Sequence, residues 1–353
     1  MDMDADVGKE MGKDMEMDAD VGKDIKQAVL AALTENEGAY VSGIAMEKLF
    51  STDRGSIWKA IQSLRTDGYE ITALPKRGYM LVGWGDILTA GGIKRHIKAK
   101  GAFMLDVRET VRSTNTLLSE IALQGAPEGY VIVADGQTAG KGRMGKDFFS
   151  PTGHGAYFSI LLRPRQNAAA STLVTPAAAV AAARAIEKVS GFHVGIKWVN
   201  DLYLEGKKVC GILTEARSGM EAGKMDYIVV GIGINVTRPE KGFTGTLAET
   251  AGYLREKPDT AGAERCKLIA ATLDGFWGYY QQIEKREYLD EYRARSIVLG
   301  KKVSVIAGGG EKTARALEID DDCGLLVRYE DGSTETLRSG SVSVKQATAV
   351  GLR

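Results

Sequence analysis

The chain reads Gln137-Thr-Ala-Gly-Lys-Gly-Arg-Met-Gly-Lys-Asp-Phe-Phe-Ser-Pro-Thr-Gly-His154 near its middle, and this stretch contains the pattern G-x-G-x-x-G. In a dinucleotide-binding fold that pattern follows a strand and opens a helix, and an acidic residue follows about 20 positions later. The apolar run 131–134 supplies the strand, but Phe148–Gly153 contains a proline and a glycine and does not predict a helix. The chain instead enters a second strand at Ala156–Leu162. The pattern therefore indicates a loop between two strands, not a nicotinamide-binding turn.

This glycine loop carries three cations, Lys141, Arg143 and Lys146. No Gly-Lys-Ser/Thr follows at the spacing of a P-loop, so a nucleoside triphosphatase of that class is excluded. Glycine backbone N–H groups together with basic side chains favour an anionic ligand. The loop is thus predicted to hold a phosphate or a carboxylate.

Composition sets the frame for the whole chain. With 353 residues and 44% hydrophobic content, the chain is long enough for more than one domain. Lysine plus arginine equals aspartate plus glutamate at 46 each, so net charge predicts no partner. The three cysteines lie far apart without metal-ligand spacing, which favours a reducing compartment. No secretory or membrane-spanning run is present, and we expect a cytoplasmic protein without membrane contact.

Residues 1–23 contain a repeat, Met3-Asp-Ala-Asp-Val-Gly-Lys9, which returns as Met17-Asp-Ala-Asp-Val-Gly-Lys23. The stretch is rich in acidic residues and has no aromatic group, so burial cannot offset its ordering entropy. It is predicted to be a disordered acidic tail, and a spacer without function is the simplest interpretation.

Residues 24–85 predict a winged helix-turn-helix. Apolar residues recur at helical spacing from Ile25, a short helix follows Ser42 as its cap, and a third helix covers Asp53–Thr66. Two strands, 69–74 and 78–82, close the segment. Three short helices followed by a basic-tipped hairpin is the order of that DNA-binding fold.

Six side chains of this segment are candidates for DNA contacts: Arg54, Ser56, Lys59 and Arg65 on the third helix, and Lys76 and Arg77 at the hairpin tip. The alternative is a small helical domain whose charges only interact with solvent. The order of elements favours DNA binding. Trp58 is expected in the core under either interpretation.

Residues 86–295 alternate between predicted strands and helices, as in a mixed-sheet α/β domain. Within it, Asn200 and Asp201 lie between two strands, and Lys208 follows across a hairpin turn. A carboxylate beside a lysine could hold a metal-bound phosphate while the ammonium neutralises developing charge. The alternative is a turn-forming Asn-Asp pair and a solvated lysine, which residue types alone would favour.

Residues 296–353 are strand-rich. Short apolar runs are separated by turn signals such as Asp331-Gly332, which is typical of a β-hairpin. The segment is predicted to form a small SH3-like β-barrel. The complete expectation is a multidomain α+β protein.

Five motifs carry a resemblance to a known family: Arg112-Ser-Thr-Asn115, Gln137-Thr-Ala-Gly-Lys-Gly-Arg-Met-Gly145, Lys197-Trp-Val-Asn-Asp201, Lys208-Val-Cys-Gly-Ile-Leu-Thr-Glu215 and Gly231-Ile-Gly-Ile-Asn235. In order and spacing they resemble the biotin protein ligases. With the winged helix ahead of them, the chain is similar to the bifunctional biotin ligases that also repress the biotin operon. The resemblance covers about residues 24–347.

The resemblance implies a two-step reaction. Biotin and Mg²⁺-ATP give biotinyl-5′-AMP and pyrophosphate, and biotin then passes to a lysine of the biotin carboxyl carrier protein of acetyl-CoA carboxylase. It also implies operator DNA as a partner, biotinyl-5′-AMP as corepressor, and a ligand-bound homodimer.

The family pattern also implies roles for residues of this chain. Lys208 and Arg143 would be catalytic. Biotin would contact Ser113, Thr114, Asn115, Gln137, Lys141, Gly142, Arg143 and Lys208. ATP would contact Phe148, Asn200, Asp201 and Asn235, with Asp201 as the metal ligand. The glycine loop would order over the ligand and keep water from the mixed anhydride.

The chain departs from the pattern at four positions. Lys141 and Lys345 stand where the family has arginines, Val199 replaces a proline, and Phe148 replaces a tryptophan over the adenine. A lysine cannot reproduce the bidentate fork of an arginine, so weaker retention of biotin or its adenylate is predicted. Two other functions remain open: a ligand-sensing repressor with weakened ligase activity, and an enzyme like the lipoate ligases.

Overall fold

The computed structural model describes residues 24–36, 38–66, 69–83, 87–164, 170–218, 225–257, 264–307, 310–338 and 340–344. The predicted acidic tail, residues 1–23, and Lys345 lie outside these residues. The chain divides into two compact units, with the boundary after Ile87. None of the helices described has the length and apolar content needed to cross a membrane.

The first unit has three helices and a hairpin, as predicted: α1 (24–35), α2 (Gly43–Leu49), α3 (Arg54–Thr66), β1 (Glu70–Leu74) and the antiparallel β2 (Gly78–Gly83). Its core is formed by apolar residues from all three helices and the hairpin, among them Leu33, Met46, Ile61 and Leu81. Burying these side chains supplies most of the stabilisation of so small a unit.

Helix α3 begins after Asp53, whose carboxylate accepts the backbone N–H groups of Gly55 and Ser56. Its buried face consists of Ile57, Ala60, Ile61 and Leu64. The prediction that Trp58 lies in the core is wrong, because 54% of its surface is exposed. Trp58 lies one residue after Ile57 and therefore about 100° around the helix from it.

The second unit contains a seven-stranded mixed sheet. Its strands, in chain order, are β3 (Met104–Val111), β4 (Tyr130–Gln137), β5 (Gly155–Leu162), β6 (Gly195–Lys197), β7 (Asp201–Leu204), β8 (Lys207–Ser218) and β9 (Met225–Asn235). Their order in the sheet is β3-β4-β5-β9-β8-β7-β6. Only the β3–β4 pair is parallel among these neighbours. This order places β5 next to β9, which is distant from it in sequence, and β9 next to β8.

Helices cover the sheet. They are α4 (Ala90–Lys94), α5 (Thr114–Leu123), α6 (Ala170–Ser190), α7 (Leu247–Thr250), α8 (Glu264–Tyr280) and α9 (Leu289–Ala294). Helix α5 contacts β4, β5 and β9, and buries Leu118 and Ala122 against Ile132, Leu161 and Val229. Helix α6 contacts β8, and α8 lies against α6. The short helices α4, α7 and α9 were not predicted.

Five strands form the C-terminal sheet: β10 (Lys302–Ala307), β11 (Gly310–Ile319), β12 (Leu325–Tyr329), β13 (Thr334–Leu337) and β14 (Ser341–Val344). The order is β13-β12-β11-β10-β14, antiparallel throughout. The hairpin at Asp331-Gly332 forms as predicted, and Asp331 accepts the backbone N–H of Ser333. The predicted small β-domain is therefore present. Among the described strands it is an open sheet, with β13 and β14 as its two edges.

Candidate functional site

A cleft of about 430 Å³ lies in the second unit, where the start of α5, the glycine loop and strands β8 and β9 come together. The sequence-predicted residues Ser113, Thr114, Asn115, Gln137, Lys141, Gly142, Arg143, Phe148, Asn200 and Lys208 all line it. Together with Gly231 and Gly233, which also line it, all five motifs thus converge on one cavity. Asn235 lies in an adjoining pocket, and Asp201 contacts Lys208 beside the cleft.

One wall of the cleft presents neutral hydrogen-bonding groups from the start of α5. Ser113 caps this helix, and the backbone N–H of Thr114 donates to Oε1 of Gln137 at 2.8 Å. The amide of Gln137 in turn donates to Ser150 Oγ at 2.8 Å. Each polar group therefore has a partner, which holds the helix terminus and β4 in fixed relation.

Asn115 is held at the base of this wall. Its amide donates to Glu215 Oε2 at 2.8 Å, and its Oδ1 lies 2.6 Å from the hydroxyl of Ser159. Sequence reasoning missed Ser150 and Ser159, and it did not give Glu215 a role of its own. The available signal was a lone hydroxyl in an apolar strand, since Ser159 interrupts the buried run of β5.

Glycines on β9 and β8 make room for these side chains. A Cβ on Gly231 would lie 2.0 Å from Asn115 Oδ1, and one on Gly233 would lie 2.5 Å from the ring of Phe148. A Cβ on Gly211 would meet both Lys208 and Phe148 at 3.1 Å. The glycines of the motif Gly231-Ile-Gly-Ile-Asn235 are therefore needed for close approach, a common use of glycine in strands.

The other side of the cleft is cationic. Arg143 donates to Oδ1 of Asn200 at 3.0 Å, and Asn200 donates to the carbonyl of Ile212 at 2.7 Å. The ammonium of Lys208 lies 2.6 Å from a carboxylate oxygen of Asp201. A negatively charged ligand would thus meet Arg143 and Lys208 together.

Lys197 lies at the end of β6, in register with Asp201 of β7. Burial lowers the pKa of its ammonium, and the neighbouring cations Lys208 and Lys146 lower it further, against the opposite effect of Asp201. The ammonium of Lys197 donates to the hydroxyl of Tyr203 at 3.3 Å. Three lysines, Lys197, Lys208 and Lys146, thus lie near the single carboxylate of Asp201, and this arrangement favours an anionic ligand.

The glycine loop folds back on itself as a narrow hairpin. Phe148 donates its backbone N–H to the carbonyl of Gly140 at 2.8 Å, and Gly142 donates to Lys146 at 2.6 Å. Lys141 and Lys146 are exposed, whereas Arg143 is half-buried. The loop thus places Arg143 and Lys141 along the cleft, whereas Lys146 is exposed and does not line it.

The adjoining pocket, of about 420 Å³, lies on the other side of Phe148 and Lys208. It is lined by aromatic and apolar groups, including Phe149, Phe243 and Leu247. Asn235 borders it, with its amide bonded to the carbonyl of Gly252 at 2.9 Å. The pocket suits a flat, largely apolar ring system.

Asp201 is the predicted metal ligand. In the part of the chain that the structure describes, no three His, Cys, Asp or Glu side chains cluster as a metal site. Mg²⁺ is commonly held by one or two carboxylates together with substrate phosphates. A single carboxylate next to a cationic cleft fits that mode of binding.

In the first unit, Arg54, Lys59, Lys76 and Arg77 are exposed. Arg54 and Lys76 border one groove between α2, α3 and the hairpin. The guanidinium of Arg77 lies 4.9 Å above the ring of Tyr40. These four cations are placed on the surface of the winged unit, where a phosphate backbone could reach them.

The other two predicted DNA contacts have partners within the first unit. Arg65 donates from Nε and Nη2 to the carbonyl of Ile71, at 3.0 and 2.8 Å, and so ties α3 to β1. The hydroxyl of Ser56 donates to Asp53 at 2.6 Å and completes the helix cap. Both side chains thus contribute to the fold of the unit.

Comparison with known proteins gives three family matches. The Biotin/lipoate A/B protein ligase family matches residues 107–235, the biotin protein ligase C terminal domain matches 298–345, and a helix-turn-helix (HTH) domain matches 26–80. The first match spans the cleft, and the third spans the winged unit. All three agree with the fold derived from the sequence.

Several relatives match most of the chain. The bifunctional ligase/repressor BirA of Bacillus subtilis is 30% identical over 324 residues, covering 87% of this chain and 95% of the relative. That of Escherichia coli is also 30% identical, covering 90% and 97%. A biotin protein ligase from Aquifex aeolicus, solved with biotin and ATP, has a TM-score of 0.56 at 25% identity, covering 69% of this chain and 99% of that one. The chain therefore belongs to the family of the bifunctional biotin ligase/repressors.

Proposed function

We propose that this protein activates biotin with ATP and transfers it to a lysine of a carrier protein. The observation that carries this proposal is the division of one cleft into a neutral wall and a cationic wall. Thr114, Asn115 and Gln137 offer the uncharged donors and acceptors that a ureido ring needs. Arg143 and Lys208 offer the cations that a carboxylate and an α-phosphate need.

In the first step, a carboxylate oxygen of biotin forms a bond to the α-phosphorus of ATP, and the bond to the β-phosphate oxygen breaks. The products are biotinyl-5′-AMP and pyrophosphate. The carboxylate is already nucleophilic, so catalysis depends on positioning and on charge stabilisation. Lys208 and Arg143 would bridge the two anionic groups as they approach. In the second step, the lysine amine of the carrier attacks the anhydride carbonyl, loses a proton, and releases AMP.

The nucleotide would extend into the adjoining pocket. Phe148 separates the two cavities, and its ring can stack on adenine as the tryptophan of the family would. Asn200 and Asn235 would contact the nucleotide, and Asp201 would hold Mg²⁺ on the phosphates. The metal supplies charge neutralisation for the leaving pyrophosphate.

Ser113, Lys141 and Gly142 would complete the biotin site at the mouth of the cleft. The glycine loop would act as a lid, with Arg143 on its inner side. Because the mixed anhydride hydrolyses in water, a closed loop protects it. Less proteolysis of residues 137–150 with biotin and ATP present would support this role, and unchanged cleavage would refute it.

The winged unit would make the protein a biotin-responsive repressor, with biotinyl-5′-AMP as corepressor and a homodimer as the DNA-binding form. The HTH match and the exposed cations of the first unit support DNA binding. The carrier would be the biotin carboxyl carrier protein of acetyl-CoA carboxylase, and the protein would act in the cytoplasm.

Biotin-dependent exchange of labelled pyrophosphate into ATP tests the ligase proposal. Exchange with biotin, and none with lipoate, is expected. Exchange with lipoate alone would instead assign a lipoate ligase. Ligand-dependent DNA binding without any exchange would assign a repressor that has lost its enzyme activity.

A further inference from the structure

The turn that carries Asn200 and Asp201 is held from outside the cleft. Tyr292, on α9, is fully buried and donates its hydroxyl to the carbonyl of Val199 at 3.0 Å. Trp198 donates its indole N–H to the carbonyl of Cys323, in the C-terminal sheet region, at 2.9 Å. Two consecutive residues of this turn are thus bonded to elements that contribute nothing to the lining of the cleft.

The bond from Tyr292 acts on a peptide group that leads directly into the site. The carbonyl of Val199 and the backbone N–H of Asn200 belong to the same planar unit, so fixing one fixes the other. The side chain of Asn200 then accepts the hydrogen bond from Arg143. A continuous series of contacts therefore runs from the Tyr292 hydroxyl to the inner side of the glycine loop.

Helix α9 is a firm support for this contact. Arg295 bonds to Glu187 of α6 at 2.5 Å and to Glu291 at 2.7 Å, and its side chain is only 8% exposed. The chain just after α9 also extends β6, because the Ile196 backbone exchanges hydrogen bonds with Arg295 and Ile297. Burial raises the pKa of Tyr292 well above its usual value, so its hydroxyl stays protonated and available as a donor.

We propose that Tyr292 is a positioning residue for nucleotide activation: its hydroxyl holds the Val199–Asn200 peptide so that Asn200 and Asp201 stay aligned with Arg143 and Lys208. The inference rests on the proposed function. It assigns to a residue outside the cleft a role in aligning the charged groups for the adenylation step, whereas Thr114, Asn115 and Gln137, on the neutral wall, are held by other contacts.

The test is Tyr292→Phe, which keeps the ring and removes only the hydroxyl. Tyr288→Phe is the matched control, since Tyr288 is equally buried and no described hydrogen bond joins its hydroxyl to residues 198–201. Misplacement of about 1 Å in a reacting group can cost about a hundredfold in rate. We expect a 10- to 100-fold loss of kcat in pyrophosphate exchange for Tyr292→Phe, a raised KM for ATP, and a loss of biotin affinity smaller than the loss of kcat, because the neutral wall still binds the ureido ring. Tyr288→Phe should keep the wild-type kcat and the wild-type KM for ATP.

A double-mutant cycle separates positioning from a general loss of stability. In an Asn200→Ala background the same Tyr292→Phe change should cost less activity than it does in the wild type, because part of its effect acts through the Asn200 side chain. If Tyr292→Phe folds poorly, Trp198→Phe tests the same turn through its second bond, with the same expected loss of kcat. Exchange constants equal to those of the wild type, an equal loss in Tyr288→Phe, or full additivity with Asn200→Ala would each overturn the inference. Absence of exchange in the wild type would overturn the proposed function and the inference with it.

Discussion

The ammonium of Lys208 lies 2.6 Å from the carboxylate of Asp201, and the pair is partly exposed to the cleft, at 31% and 20% of the two side chains. An ion pair in this setting holds the lysine in place while leaving its remaining N–H groups for a ligand. Under the proposed function, Lys208 would contact the biotin carboxylate and the α-phosphate, and Asp201 would contact both Lys208 and a metal-bound phosphate.

Replacing Lys208 with alanine should remove most of the adenylation activity. Loss of a charged donor at the reacting centre typically lowers kcat by about a thousandfold. Pyrophosphate exchange measures this directly. Lys207→Ala is the control, because Lys207 is exposed and bonds to the carbonyl of Ala248, away from the cleft. Exchange by Lys208→Ala at the rate of Lys207→Ala would refute the assigned role.

Lys141 is the departure from the family pattern whose effect is easiest to measure. Lys141→Arg restores a planar fork that can bind a carboxylate or phosphate through two N–H groups. We expect slower release of biotinyl-5′-AMP, by about tenfold, which corresponds to about 1.4 kcal/mol. Stopped-flow dissociation of the adenylate measures the rate. Lys146→Arg, on the outer part of the same loop, should leave it unchanged.

The two glycines of β9 should separate biotin binding from nucleotide binding. Gly231→Ala would push into Asn115, and Gly233→Ala would push into the ring of Phe148. We therefore expect the first variant to lose biotin affinity and the second to raise the KM for ATP. Isothermal titration calorimetry with biotin measures the biotin affinity, and pyrophosphate exchange at varied ATP concentrations measures the KM for ATP.

Gly278→Ala is the matched control, since no atom lies within 4 Å of a Cβ at this position of α8. A helical glycine replaced by alanine should stabilise the protein by about 0.5–1 kcal/mol without affecting either ligand. Equal loss of both ligands in Gly231→Ala and Gly233→Ala would show that they only disturb the sheet.

The ends of α5 coincide with local sequence signals, because Ser113 caps the helix and Gly125 follows its last turn. The cleft residues of α5 and of the glycine loop were found for a related reason: their motifs are local. The contacts of Ser159 and Glu215 with Asn115 were not predicted, because they depend on the sheet order, which places β5, β9 and β8 next to one another.

Trp58 and Tyr292 show the limit of periodicity. Both are aromatic residues on short helices, yet Trp58 is exposed and Tyr292 is fully buried. An apolar residue type does not reveal which face meets a partner when that partner is distant in sequence. Tyr292 is buried by elements such as the Trp198–Asp201 turn, about ninety positions away.

Lys197 should impose a pH dependence on stability. Burial lowers its pKa below 10.5 in the folded protein, so the folded state binds its proton less readily than the unfolded chain. The cost of burying the charge is therefore full at pH values below the lowered pKa, and it disappears as the pH rises toward 10.5. Lys197→Met removes this cost.

The gain in unfolding free energy of Lys197→Met over the wild type should accordingly be larger at pH 7 than at pH 10. Urea denaturation followed by tryptophan fluorescence gives both values. The lost contact with Tyr203 adds an equal offset at both pH values, since burial raises the pKa of Tyr203 to about 12. A gain in unfolding free energy that is larger at pH 10 than at pH 7 would contradict a lowered pKa of Lys197.

Lys59 and Arg65 lie on the same helix but should respond differently to alanine replacement. Lys59 is exposed, whereas Arg65 is bonded to the carbonyl of Ile71. If Lys59 contacts a phosphate, Lys59→Ala should weaken binding to mixed-sequence duplex DNA and reduce the slope of log K against log salt by about 1. The melting temperature of Lys59→Ala should equal that of the wild type.

Arg65→Ala should instead destabilise the first unit by about 1–3 kcal/mol, because the buried carbonyl of Ile71 loses its partner. Fluorescence anisotropy over a range of salt concentrations and thermal melts distinguish the two effects. A reduced slope in Arg65→Ala without any loss of stability would assign this residue to the DNA interface after all.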